Sequence, residues 1–216
     1  QVAGVLQQAQ GQGGSPFTGD TLRPRLQPLM TPWMSEGFFA DLVVLVEGED
    51  DRAAILGQAA AEGASLESAG ISVIPCLGKN NLDRPYVVFR ELGIPVYVVW
   101  DGDEGEGDAR PETNRYLLRL FAEAEEDWPT FVHATCACFK TNLESTIEQE
   151  IGTEVFGRLL SHQQTHLDMP RRKDALKNPT VIQAVIEAAR AEGKESATLR
   201  GIVTQIVALR ESGSAS

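Results

Sequence analysis

Cysteine is scarce in this chain. Three in 216 residues are too few, and odd in number, to form a disulfide framework, and they point to a reducing interior. No apolar run approaches the ~18–20 residues that a membrane span requires. The first residues, QVAGVLQQAQGQGGSPF, lack the basic start and apolar core of a secretory signal. A cytoplasmic protein with no membrane partner is the expectation. Positive charge is also short: 19 Lys and Arg stand against 31 Asp and Glu, a net charge of −12, which at first sight excludes a nucleic-acid binder. The deficit is uneven. Residues 151–216 carry nine basic and seven acidic residues, whereas residues 1–150 carry ten and twenty-four. Bound divalent cations would offset part of such an acidic surplus. The chain opens on Gln rather than Met, which suggests a fragment with a preceding domain missing.

What is present is an alternation. Residues 1–35, rich in Gln, Gly, Pro and Ser, read as a linker or arm with a short helix at 2–9. LVVLV (42–46), ISVIP (71–75), PVYVVW (95–100) and TFVHATCACF (130–139) read as strands, three of them near-continuous apolar runs. Helical patterns over 50–63, 81–93 and 111–127 separate them, with Pro85 in a first turn. This is the signature of a parallel sheet covered on both faces. From Leu143 onward only helical spacing remains, over 142–162, 178–193 and 196–210. The expected organisation is an arm at 1–35, an α/β domain at 36–142, a small all-helical domain at 143–210 and a flexible tail at 211–216.

Two strands end in acid. The first delivers Glu47, followed by Gly48, Glu49, Asp50 and Asp51; the third delivers Asp101-Gly102-Asp103. Ligands of open parallel sheets bind at the carboxyl ends of the strands. If these two strands are neighbours, Glu47, Asp101 and Asp103 converge there, and unpaired carboxylates would resist ionisation. A hard divalent cation, Mg²⁺ or Mn²⁺, is the simplest explanation. Asp51, four residues after Glu47, would point back toward the site from the first helical turn. Asp50 reads as a helix cap and Glu49 as solvated, with Gly48 giving the backbone room to turn. A calcium loop fits poorly, because Gly105 and Glu106 hold its fifth and sixth positions and a strand leads in. An aspartate-nucleophile phosphatase would leave Glu47 unexplained.

The pair VVLVEGEDD and VYVVWDGDEG, with PCLGKNNL between, resembles the Toprim domain of topoisomerases, primases and related nucleases, over roughly residues 38–140. The longer stretch SEGFFADLVVLVEGEDDRAAI, with FKTNLESTIEQEI downstream, resembles the OLD (overcoming-lysogenization-defect) family of nucleases more closely. That resemblance implies a Toprim-like parallel sheet flanked by helices and a metal-dependent DNA endonuclease that hydrolyses phosphodiester bonds with two ions. It also implies an N-terminal ABC-type ATPase domain. No G-x-x-x-x-G-K-[ST] phosphate loop occurs here, so ATP, and any oligomer, would enter only through that domain. Three carboxylates are few for two ions, so Glu144, and after it Glu148 one turn on, become candidate ligands. The structural alternative is that Asn142 caps this helix and Glu144 favours its N-terminus. Lys79, in the loop after the second strand, Lys177, where OLD-like chains tend to carry a lysine, Lys140 and Lys173 are the candidate catalytic lysines. Arg171-Arg172-Lys173 is either a phosphate contact or a solvated loop.

Cys136 and Cys138 share a strand face that His133 does not, so buried thiols are expected rather than a zinc site. His162 and His166 read as surface residues and Trp100 as core. Two other readings stand beside the nuclease. One is a non-catalytic Toprim module of the recombination-mediator type, binding DNA or a partner. The other is a topoisomerase-like transesterase, for which Tyr86, Tyr97 and Tyr116 all fall inside expected elements.

Overall fold

A computed structural model describes residues 1–10, 18–27, 30–107 and 109–213. Five strands form one sheet in the order β2-β1-β3-β5-β4: β1 Leu42–Val46, β2 Ile71–Pro75, β3 Val96–Asp101, β4 Phe131–Val132 and β5 Cys136–Phe139. β1 pairs in parallel with both β2 and β3, and β3 pairs in parallel with β5. The expected fourth strand is two strands. The His133 amide closes the turn onto the Cys136 carbonyl at 2.8 Å, and β4 runs antiparallel to β5, so the sheet is mixed and dominated by parallel pairs.

Successive strand side chains face opposite layers. Leu42, Val44, Val46, Tyr97 and Val99 join one core; Val43, Leu45, Val96, Val98 and Trp100 join the other. The second layer is built by α1 (Val2–Gln10), α3 (Pro32–Gly37), α5 (Asp83–Glu91) and α6 (Pro111–Phe121), with Leu22 of α2 (Gly19–Leu26). Pro85 lies in the first turn of α5. α6 stops at Phe121 instead of 127, because Ala122 turns left-handed (φ 62°) and Glu125 folds back onto Arg119. α1 is not a free arm: Leu6 and Ala9 are buried, and Arg119 Nε donates to the Ala9 carbonyl at 3.0 Å. Residues 11–17 and 28–29 of the expected arm lie outside the described residues.

The first layer holds α4 (Glu49–Ala61), α7 (Leu143–Ile151), α8 (Thr153–His166), α9 (Arg172–Leu176), α10 (Pro179–Ala191) and α11 (Ala197–Gly213). The long helix expected at 142–162 breaks at Gly152, whose φ of 99° suits glycine. The helices after Leu143 share one continuous core with the sheet. α11 continues to Gly213, its end tied to the body by Arg210 Nε donating to the Ala69 carbonyl at 3.1 Å; residues 214–216 of the expected tail lie outside the described residues. All three cysteines are buried and free, and burial pushes the Cys76 and Cys136 thiols up to about 12. Trp100 is core, and Tyr86, Tyr97 and Tyr116 lie within elements. No helix among the described residues is long and apolar enough to cross a membrane.

α10 packs on α4 at a glycine. A Cβ on Gly57 would meet Ile182 Cγ2 at 2.8 Å and the Gln183 backbone nitrogen at 2.9 Å. Gly→Ala in an exposed helix interior gains about 0.5–1 kcal/mol, but overpacking costs about 1–3 kcal/mol. Gly57→Ala is therefore expected to lower stability in urea unfolding. Gly157→Ala on α8, where a Cβ meets nothing within 4 Å, is expected to raise it.

Candidate active site

Glu47 and Asp101 leave adjacent parallel strands at the same edge. Backbone amides hold the acids in place. Asp101 N–H donates to Glu47 Oε1 at 3.0 Å, Leu143 N–H to Asp101 Oδ1 at 2.9 Å, and Gly48 N–H to Asp51 Oδ2 at 2.9 Å. The reach-back bond at the start of α4 is thus made by Asp51, not Asp50. Gly48 is extended (φ −128°), so the turn does not use glycine's left-handed freedom; a side chain there would crowd the Asp50 carboxylate. Gly102 is more constrained. A Cβ would sit 2.6 Å from the Lys140 carbonyl oxygen, and Asp103 beyond it is left-handed (φ 63°). Asp103 N–H bonds the Thr141 carbonyl at 3.0 Å.

These acids resist ionisation. Burial, above all, raises Glu47 to about 7, with the Asp103 charge adding and the Asp101 amide and Lys79 opposing. Burial and then the Asp50 charge raise Asp51 to about 7, with Glu47 and Glu144 adding. Asp101 is pushed well above the carboxylate range by burial, then by Asp51 and Glu47.

The lysines differ in setting. Lys79 is buried, its ammonium 2.5 Å from Asp103 Oδ2 and 3.2 Å from Asn114 Oδ1. The Asn114 amide also donates to the carbonyls of Gly102 (3.0 Å) and Asp127 (2.8 Å). Lys177, part-exposed ahead of α10, bonds Glu49 Oε2 at 2.6 Å, and that bond holds its pKa above the lysine range. Glu49 is thus paired rather than solvated. Lys140 pairs with Glu104 at 3.0 Å on the surface, and Lys173 is exposed.

Glu144 and Glu148 share α7 and one partner. Arg172 bonds Glu144 Oε1 at 2.9 Å and also pairs with Glu148, so the Arg171-Arg172-Lys173 run is in part an internal counter-charge. Asn142 caps α7, accepting from Ser145 N–H at 2.7 Å. Asn114 and Arg172 escaped sequence reading as site residues. Asn114 had a signal, because it shares the buried face of α6 with Leu117, Leu118 and Phe121 at helical spacing.

Among the described residues no three His, Cys, Asp or Glu side chains are set around one point in metal-holding geometry. The donor chemistry nevertheless fits a hard cation at Glu47, Asp51 and Asp101: three carboxyl groups, largely buried, with the one lysine that is buried among the described residues spent on Asp103. The Glu144–Glu148 pair already has a cation in Arg172.

Acidic ends on adjacent parallel strands of a helix-covered sheet define a Toprim domain. Residues 38–103 match the family model of the overcoming-lysogenization-defect protein-like Toprim domain, and the fold is Toprim-like. Its fold is similar to the C-terminal region of the Burkholderia pseudomallei OLD protein, at 25% identity and a TM-score of 0.53 over 82% of this chain and 100% of that one. It is also similar in fold to the C-terminal region of the Xanthomonas campestris pv. campestris OLD protein, at 19% identity and a TM-score of 0.52 over 83% and 97%. No curated protein matched.

The raised acids fix the sign of a pH effect. In the unfolded chain carboxyls titrate near 4, about 3 units below the folded Glu47 and Asp51. Between those values the folded chain binds more protons, so its stability falls as pH rises through about 4 to 7. Without divalent cation, Tm is expected to drop across this window by more than about 2–4 °C, the equivalent of ~1 kcal/mol at this size. Asp51→Asn should flatten the drop, and thermal melts in EDTA check both.

Proposed function

We propose that the chain is a metal-dependent DNA endonuclease, hydrolysing phosphodiester bonds at the Glu47–Asp101 edge. One observation carries this reading: buried carboxylates, raised by burial and by one another, at the ends of adjacent strands of an OLD-like Toprim domain. Glu47, Asp51, Asp101 and Asp103 would hold Mg²⁺ or Mn²⁺. Glu144 and Glu148 would contribute to a second ion once Arg172 released them. Bound there, the cation would lower the pKa of the attacking water and polarise a phosphoryl oxygen.

The chain's own groups divide the remaining work. The amides of Asp101, at the end of β3, and Leu143, at the start of α7, orient Glu47 and Asp101, which limits side-chain entropy lost on ligation. Lys79, fixed by Asp103 and Asn114, is a positioning residue that sets the Asp103 carboxylate. Lys177 is the group that can meet a phosphate. A part-exposed ion pair such as Lys177–Glu49 is worth about 0–1 kcal/mol, so the ammonium exchanges partners at little cost. The partners on this reading are DNA and an ABC-type ATPase domain, as in the family the sequence resembles.

Plasmid nicking with Mg²⁺ and Mn²⁺ tests the reading. Glu47→Gln and Asp101→Asn are expected to lower nicking about a hundredfold or more while keeping the fold. Lys177→Ala should lower it about a hundredfold with Tm unchanged, whereas Lys79→Ala should lower Tm as well. Wild-type protein that fails to nick with either ion would favour the non-catalytic binding module instead.

A further inference from the structure

Four residues other than glycine are left-handed among those described: Leu77, Asp103, Ala122 and Asp168. Three have ordinary reasons. Ala122 and Asp168 follow the ends of α6 and α8, where a left-handed stop is usual, and aspartate tolerates this region through its short polar side chain. Leu77 (φ 60°) has neither reason. It follows β2 rather than a helix, and a left-handed leucine brings its Cβ against the backbone. Burial could offset that strain, but Leu77 is 63% exposed. Of the large apolar residues exposed among those described, it alone is left-handed. Single exposed apolar side chains are common. One held in a strained backbone, with no packing to offset the strain, is not.

The surroundings hold this conformation in place. Asn81 Nδ2 donates to the carbonyls of Cys76 at 3.0 Å and Leu77 at 3.1 Å, and Gly78 N–H donates to the Glu47 carbonyl at 3.0 Å. Two residues on, Lys79 is fixed by Asp103 and Asn114. Leu77 is therefore carried on a turn tied to both Glu47 and Asp103, at the carboxyl edge of the sheet.

We propose that Leu77 is a substrate-contacting residue, which lays its apolar side chain against a nucleobase of the strand whose phosphodiester meets the acidic edge. Strain and exposure share one explanation when the partner arrives from solvent: contact with it removes from water the apolar surface that the fold leaves exposed. A nucleic-acid strand offers an apolar base face beside every phosphate, and aliphatic side chains pack against base steps in this way. A phosphate alone would give a leucine nothing to bind. The proposal rests on the nucleic-acid reading above and goes beyond it, since phosphodiester hydrolysis by itself needs no base contact.

Fluorescence anisotropy of the whole chain in Ca²⁺ provides the test, with two labelled strands of equal length: an ordinary oligodeoxynucleotide and a strand built of abasic sugars. Leu77→Gly is expected to weaken binding of the base-bearing strand about fivefold or more and to leave the abasic strand unchanged, while Leu77→Met keeps the wild-type difference. Leu77→Gly is also expected to raise Tm, because glycine relieves the left-handed strain. A lower Tm would show that Leu77 serves the fold and would overturn the proposal. Equal loss on both strands, no loss on either, or no binding of either would do the same. The outcome is separate from the nicking assay: a wild type that nicks plasmid, while Leu77→Gly binds the base-bearing strand as tightly, sinks the base contact and leaves the endonuclease reading standing.

Discussion

Two carboxylates at the ends of adjacent parallel strands, with a third from the first turn of α4, are the constraint around which the rest is arranged. Parallel pairing of β1 with β3 leaves Glu47 and Asp101 no choice but to meet. Burial then withholds the water that would dilute their charge; the Glu47 charge raises Asp51, and Asp51 and Glu47 raise Asp101. Such a cluster is tolerable in three ways: by protons, by backbone amides, or by cations. The amides of Asp101, Gly48 and Leu143 supply the second, one oxygen at a time. They stabilise the acids without neutralising them.

The helical half supplies charge that the sheet half lacks. Among the described residues three ion pairs join the two: Lys177–Glu49, Arg190–Glu62 and Arg210–Asp41. The near-neutral balance after residue 151 thus stands beside a strongly acidic first part, with which its basic side chains pair. The packing agrees, since α10 lies on α4 closely enough to exclude a methyl group at Gly57. α4 also carries Asp51, so the seat of the helical half and one of the buried acids share a helix.

Much of this was legible in the sequence because it is written in runs. Continuous apolar strands of four to six residues with abrupt acidic ends give the parallel sheet and its productive edge directly, and β1 and β2 match the sequence reading residue for residue. What escaped depends on partners distant in sequence or on local backbone turns. The hairpin at His133–Thr135, the left-handed stop at Ala122 and the break at Gly152 each interrupt a pattern whose periodicity continues past them. Arg172 could not be assigned, because its role follows from two glutamates more than twenty residues earlier. The docking of α1 was hidden in a Gln-rich stretch, where only Leu6 and Ala9 betray a buried face.

The two lysines show how burial sorts groups that sequence treats alike. A lysine buried against Asp103 and Asn114 has exchanged water for fixed partners, so displacing it would strand both a buried charge and a buried amide. A lysine that is one-third exposed and holds one glutamate has neither liability, because water replaces whichever partner it leaves. The first is suited to holding geometry and the second to meeting an incoming anion. Lys177 comes from the helical half and Lys79 from the sheet half, so the packing of α10 on α4 sets where Lys177 stands relative to the acids that the strands carry.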